Sequence, residues 1–119
     1  MRSSPSPRTA FSPRVLPVIL RVFRVQIPAD SHQVWRDLVK HESMPALSRT
    51  DGLLAYWAGE PVDDGDEFTM VTLWRDLDAV RAFTGGDYHD IVLLGEETDL
   101  AAIAHDATVE HFRIFGSKH

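Results

Sequence analysis

The sequence predicts an α+β domain: one four-stranded antiparallel sheet with two helices packed on a single face. Three observations carry this. Four segments, 18–27, 53–60, 68–74 and 107–115, are rich in β-branched and aromatic residues with side chains alternating between faces. Two segments, 30–47 and 76–84, place apolar residues at helical spacing behind an aspartate. The run Asp63-Asp64-Gly65-Asp66 between the second and third strands is a hairpin turn, because Asp-Gly tolerates positive φ.

In the first strand Ile19, Arg21, Phe23 and Val25 share one face and Leu20, Val22 and Arg24 the other, and Pro28 ends it. The first helix opens at Asp30, with Gln33 placed as in a capping box. Val34, Trp35, Leu38 and Val39 form its apolar stripe, Asp37 and Lys40 its wet face, and Pro45 with Asp51-Gly52 closes it. The second strand sets Tyr56 and Trp57 on opposite faces. In the third, Phe68, Met70, Thr72 and Trp74 oppose Thr69, Val71 and Leu73. Asp76 caps the second helix, Leu77, Val80 and Phe83 line it, and Gly85-Gly86 stop it. Asp87 to Leu94 reads as a further helical turn or two, and 95–106 has no clear pattern. The last strand opposes Val109, His111 and Arg113 to Glu110, Phe112 and Ile114. The order β-α-β-β-α-β is the ferredoxin-like, split βαβ plan.

The 119 residues suit one domain, 15–119, behind a tail. Residues 1–14 are dominated by Pro, Ser and Arg and predict disorder, with an Arg- and Ser-rich targeting peptide as the rival reading. Five arginines and no acid precede Asp30; all 18 acids then stand against 7 Lys and Arg, a net of −11. Such a domain repels phosphate backbones, so no nucleic-acid partner is expected. The apolar run Val15–Leu20 contains a proline and is too short for a membrane span. With no cysteine, disulfides and thiolate sites are excluded and a cytoplasmic setting is expected. No metal site is expected either. His41-Glu42, His89-Asp90 and His105-Asp106 are adjacent pairs, and adjacent side chains diverge on helix and strand alike. The acids of the hairpin lack EF-hand spacing, and no phosphate loop or nucleophile elbow is present.

The segment Met70-Val-Thr-Leu-Trp-Arg-Asp-Leu-Asp-Ala-Val-Arg-Ala-Phe-Thr-Gly85 resembles the strand-to-helix signature of the antibiotic biosynthesis monooxygenase superfamily. Leu20-Arg-Val-Phe23 and Thr108-Val-Glu-His-Phe112 are similar to an uncharacterised branch of it, so the likeness covers residues 18–115. The resemblance implies a dimeric α+β barrel with a pocket between sheet and helices in each subunit. It implies small-molecule chemistry: cofactor-free oxygenation of phenolic polycyclic substrates, haem degradation, or isomerase and small-aldehyde reactions. The haem-degrading branch places a Trp on the second helix and a His ten residues on, where this chain has Phe83 and Leu93, and an Asn in the first strand, which has none. These departures argue against haem degradation.

The candidate catalytic residues are Arg21, His111 and His89. Arg21, mid-strand among apolar residues, would orient a phenolate or carboxylate through a forked hydrogen bond; the alternative is an internal ion pair with an acid such as Glu110. His111 lies on the strand next to the first in this topology and would act as base or donor, or else be a hydrogen-bonded sheet histidine. Tyr88-His89 follows the glycine pair and is either a pocket rim or a surface turn. Phe23, Trp57, Trp74, Phe83 and Tyr88 are the candidate walls of a site for a small aromatic ligand, with Trp35 as a further candidate; for tryptophans, core or dimer interface is the competing role. The resemblance implies that the ionised substrate would itself donate an electron to dioxygen, so no cofactor is expected. A non-catalytic ligand-binding or stress-related dimer on the same scaffold is the alternative. All four strands are apolar on both faces while two helices can cover only one, so a homodimer is expected through the other.

Overall fold

The computed structural model describes residues 18–93 and 97–118. The expected tail at 1–14 lies outside these. Four strands, β1 (Ile19–Gln26), β2 (Leu53–Gly59), β3 (Glu67–Trp74) and β4 (His105–Arg113), form one sheet in the order β2-β3-β1-β4. All three pairings are antiparallel. The first and last strands of the chain are therefore neighbours, as the split βαβ plan requires. This is the ferredoxin-like α+β fold.

A single long helical segment, α1, follows β1. It begins as a 3-10 turn (Ala29–Ser31), continues as α-helix (His32–Leu38), widens into a π turn (Val39–Ser43) and ends as α-helix (Met44–Ser48). The expected capping box at Asp30 does not form; Pro28 precedes the 3-10 turn, and no side chain caps either helical start. Pro45 does not end the helix. It sits in the first turn after the π segment, where its missing N–H and bulky ring are accommodated by the wider turn before it. Trp35 and Val39 are buried as expected, whereas Val34 is exposed.

Asp76 caps helix α2 (Leu77–Thr84) by accepting a hydrogen bond from the Ala79 N–H at 2.8 Å. Gly85 ends it at φ 86°, a left-handed conformation favoured by glycine. Residues 87–93 are not helical. The Asp87 side chain accepts from the His89 N–H at 2.9 Å, and this local bond fixes a turn instead. The unassigned stretch before β4 contains a third helix, α3 (Glu97–Ile103), whose Leu100 is buried.

The helices cover the sheet face bearing Ile19, Arg21, Phe23 and Val25. One core cluster joins Phe23, Val25, Ile27, Trp35, Val39, Phe68 and Leu100; a second joins Ile19, Trp74, Ala79 and Val80. Gly52 lets the β2 entry approach α2 closely, since a Cβ there would lie 2.5 Å from that of Ala79. The opposite sheet face carries Leu20, Val22, Val71, Leu73, Trp57 and Phe112, the last two 55% and 47% exposed. No described helix is long and apolar enough to cross a membrane.

Candidate functional site

Between the inner sheet face and the helices lies a cavity of about 340 Å³. That is within the range of small-molecule sites. Its floor is built by alternate residues of three strands: Arg21 and Phe23, Tyr56 and Ala58, Met70 and Thr72. Its roof is Trp35, Val39, Ser43 and Met44 of α1 and Phe83 of α2, with Leu93 and Leu100 closing one side. Lys40 and Glu60 are exposed members of the lining and, with the partly exposed Arg36, mark its mouth. The wall is mostly apolar with a few polar groups, the usual composition of a ligand site.

Arg21 is only 4% exposed and does not pair with Glu110. Glu110 lies on the other face of the sheet and pairs with Arg24. The Arg21 guanidinium donates instead to the carbonyls of Tyr88 (2.7 Å) and Asp90 (2.6 Å), and its Nη1 lies 3.0 Å from His111 Nε2. It also stands 5.7 Å from the centre of the Phe83 ring. Carbonyls satisfy its N–H groups without neutralising its charge. Burial lowers its pKa to about 10, opposed by the Asp90 carboxylate, so it stays cationic at neutral pH.

His111 is the register partner of Arg21 across β1 and β4. A guanidinium has no acceptor, so Nε2 must be the unprotonated acceptor and the ring a neutral imidazole. Desolvation, then the charges of Arg21 and His89, lower its pKa to about 4. Tyr88 packs edge-on against His111 with ring centres 4.9 Å apart and stacks on His89 at 4.1 Å. His89 is held by Asp87, whose Oδ1 is 2.9 Å from Nδ1. Two hydrogen bonds from His89 keep the Asp87 carboxyl below its ordinary pKa, the backbone bond contributing most.

Arg21, Phe23 and Phe83 of the expected site thus line the cavity. His111, Tyr88 and His89 gather behind Arg21, outside the lining. Trp74 is fully buried in the second core cluster, its Nε1 donating to Thr72 Oγ1 at 2.8 Å, and Trp57 lies on the outer sheet face. Of the tryptophans, Trp35 is the one on the cavity wall. The sequence reading passed over Tyr56, Arg36 and Ser43, and it placed Lys40 on the wet face. The Arg36 and Lys40 spacing of one helical turn was a visible signal. The π turn that changes the helical phase there was not.

A family model for antibiotic biosynthesis monooxygenases matches residues 18–90, more than half of the chain. No protein of curated function matches it. Among solved structures, the haem-degrader MhuD of Mycobacterium tuberculosis, with two haems in its active site, superposes with a TM-score of 0.65 at 17% identity, over 85% of this chain and 99% of that one. A candidate antibiotic biosynthesis monooxygenase of Deinococcus radiodurans gives 0.66 at 17% identity, over 85% and 96%. A conserved protein of Methanosarcina mazei Go1 gives 0.63 at 15% identity, over 80% and 90%. At these identities the likeness is one of fold.

Proposed function

The chain belongs to the antibiotic biosynthesis monooxygenase family, and on that premise we propose that it is a small-molecule enzyme oxidising an electron-rich aromatic substrate with an ionisable group. The observation that carries this is Arg21: a buried cation on the wall of a largely apolar cavity, held by neutral acceptors. A buried charge is costly until an opposite charge meets it. Its three contacts engage three of the five N–H donors of a guanidinium. A phenolate or carboxylate entering the cavity would supply the missing anion, with Phe23, Phe83 and Trp35 against its ring.

In this reading Arg21 stabilises the substrate anion, which gives up electrons to dioxygen. His111 holds Arg21 in place as a neutral acceptor. The substrate is bound as its anion, so no base on the cavity wall is required, and His89, held by Asp87 outside the lining, is assigned no proton step. We also infer a homodimer through the outer sheet face, because the exposed Trp57 and Phe112 there flank half-buried aliphatic residues.

The wall does not fit haem degradation. Phe83 and Leu93, which stand where the resemblance would place a Trp and the ligating His, both line the cavity, and no histidine lines it among the described residues.

The test is dioxygen uptake by purified protein with naphthalenediols, in the presence of chelator and without added flavin or haem. Uptake above the buffer blank that falls at least about tenfold in Arg21→Met supports the reading. Tight binding of the same diols with no uptake would instead make the chain a binding module.

A further inference from the structure

The charges around the cavity are not random. The chain is net −6, yet the cavity wall holds three cations, Arg21, Arg36 and Lys40, against the single acid Glu60. Arg36 is matched: its Nε lies 2.6 Å from Glu60 Oε1, and it also donates to Gln33. Arg21 has no carboxylate in hydrogen-bond contact among the described residues, the Asp90 carboxylate acting on it only through space. Lys40 forms no ion pair among the described residues. The two cations without a contacting carboxylate are therefore one buried in the sheet floor and one at the exposed mouth on α1.

The position of Lys40 follows from the backbone. It lies in the π turn Val39–Ser43, between Val39, which is buried in the core, and Ser43, which is buried on the roof. Lys40 stands one helical turn after Arg36, so the two side chains reach the cavity rim from the same face of α1. Arg36, one turn earlier, is fixed by Glu60 and cannot take its place without losing that pair.

We propose that Lys40 forms a second anion subsite, so that the preferred ligand is an aromatic body carrying an acidic group at each end. One group meets Arg21 and the other meets Lys40. The inference rests on the reading of Arg21 as the inner anion site and names the substrate class for it: aromatic diacids, or phenols bearing a distal carboxylate. An ammonium on a flexible stem suits a rim position, since it follows ligands of differing length as a point charge.

The test compares 2-naphthoate with naphthalene-2,6-dicarboxylate by calorimetry, on the full chain. The dicarboxylate should bind about three- to tenfold tighter than the monocarboxylate, the range expected for one partly exposed ion pair. That ratio should fall to about two in Lys40→Met, the statistical advantage of two equivalent carboxylates, survive in Lys40→Arg, and shrink as salt is raised. A ratio no greater than this statistical factor in the unmodified chain, or an equal ratio in Lys40→Met, overturns the subsite while leaving the inner site standing. If neither compound binds, the reading of Arg21 falls and the subsite falls with it.

Discussion

Arg21 and His111 face each other across adjacent strands with Nη1 and Nε2 3.0 Å apart, and the same guanidinium grips the carbonyls of Tyr88 and Asp90. One side chain thus ties β1 to β4 and to the turn that follows α2, while presenting its charge to the cavity. The ligand role proposed for it would coexist with this structural one.

Stability should depend on pH through His111. Its pKa is held near 4, below the ordinary 6.5, so between these values the unfolded chain binds more protons than the folded one. Stability then rises with pH through this window and is lost as pH falls from 6.5 towards 4. Solvent screening of this half-open site reduces the effect to about 1–2 kcal/mol. In His111→Gln the amide keeps an acceptor for Arg21 and does not titrate, so chemical denaturation from pH 7 to pH 4 should show a flatter slope.

Replacing Arg21 separates its two tasks. Arg21→Met removes both charge and grip and should lower stability by about 2 kcal/mol, the lost charged hydrogen bonds being partly offset by relief of a buried cation. Arg21→Lys keeps the charge but cannot span two carbonyls and an imidazole. Hydrogen exchange should show faster opening of residues 87–93 in both variants, with anion binding reduced further in Met than in Lys.

Much of this arrangement was legible in the sequence. The four strands, the Asp76 cap and the Gly85 stop follow from local chemistry, and the pairing of Arg21 with His111 follows from strand order. Helix α3 was not legible, because its seven residues are too few for a clear apolar period and its placement depends on Leu100 entering the core. The partner of Arg21 was misjudged for a geometric reason. Glu110 is one residue from His111 and so projects from the opposite face. The cavity mouth was partly legible, since Arg36 and Lys40 stand one helical turn apart, whereas Ser43 lies at the end of the π turn, whose phase no α-helical wheel reproduces.

The two glycines with defined roles should respond differently to alanine. At Gly85 a Cβ meets nothing within 4 Å, so Gly85→Ala should cost only the left-handed strain, about 1 kcal/mol. At Gly52, φ is 85° and a Cβ would clash with that of Ala79 at 2.5 Å. Gly52→Ala should cost about 2–4 kcal/mol in denaturant titration, by strain and overpacking together.

The outer sheet face sets the oligomeric state in this account. The chain should sediment as a dimer at micromolar concentration, and Trp57→Glu or Phe112→Glu should shift it towards monomer with little change in the circular dichroism of the fold. Charged variants that remain dimeric would place the interface elsewhere.

The central claim is that the buried charge of Arg21 selects an anion inside the cavity. Its most direct measurement is the calorimetric affinity of 2-naphthoate against its neutral isostere 2-naphthamide, in the unmodified chain and in Arg21→Met. The carboxylate should bind at least about tenfold tighter than the amide, as a charge-assisted bond to a buried guanidinium should give, and this preference should disappear in the variant. Equal affinity for the two compounds in the unmodified chain, or a preference that survives the loss of Arg21, would contradict it.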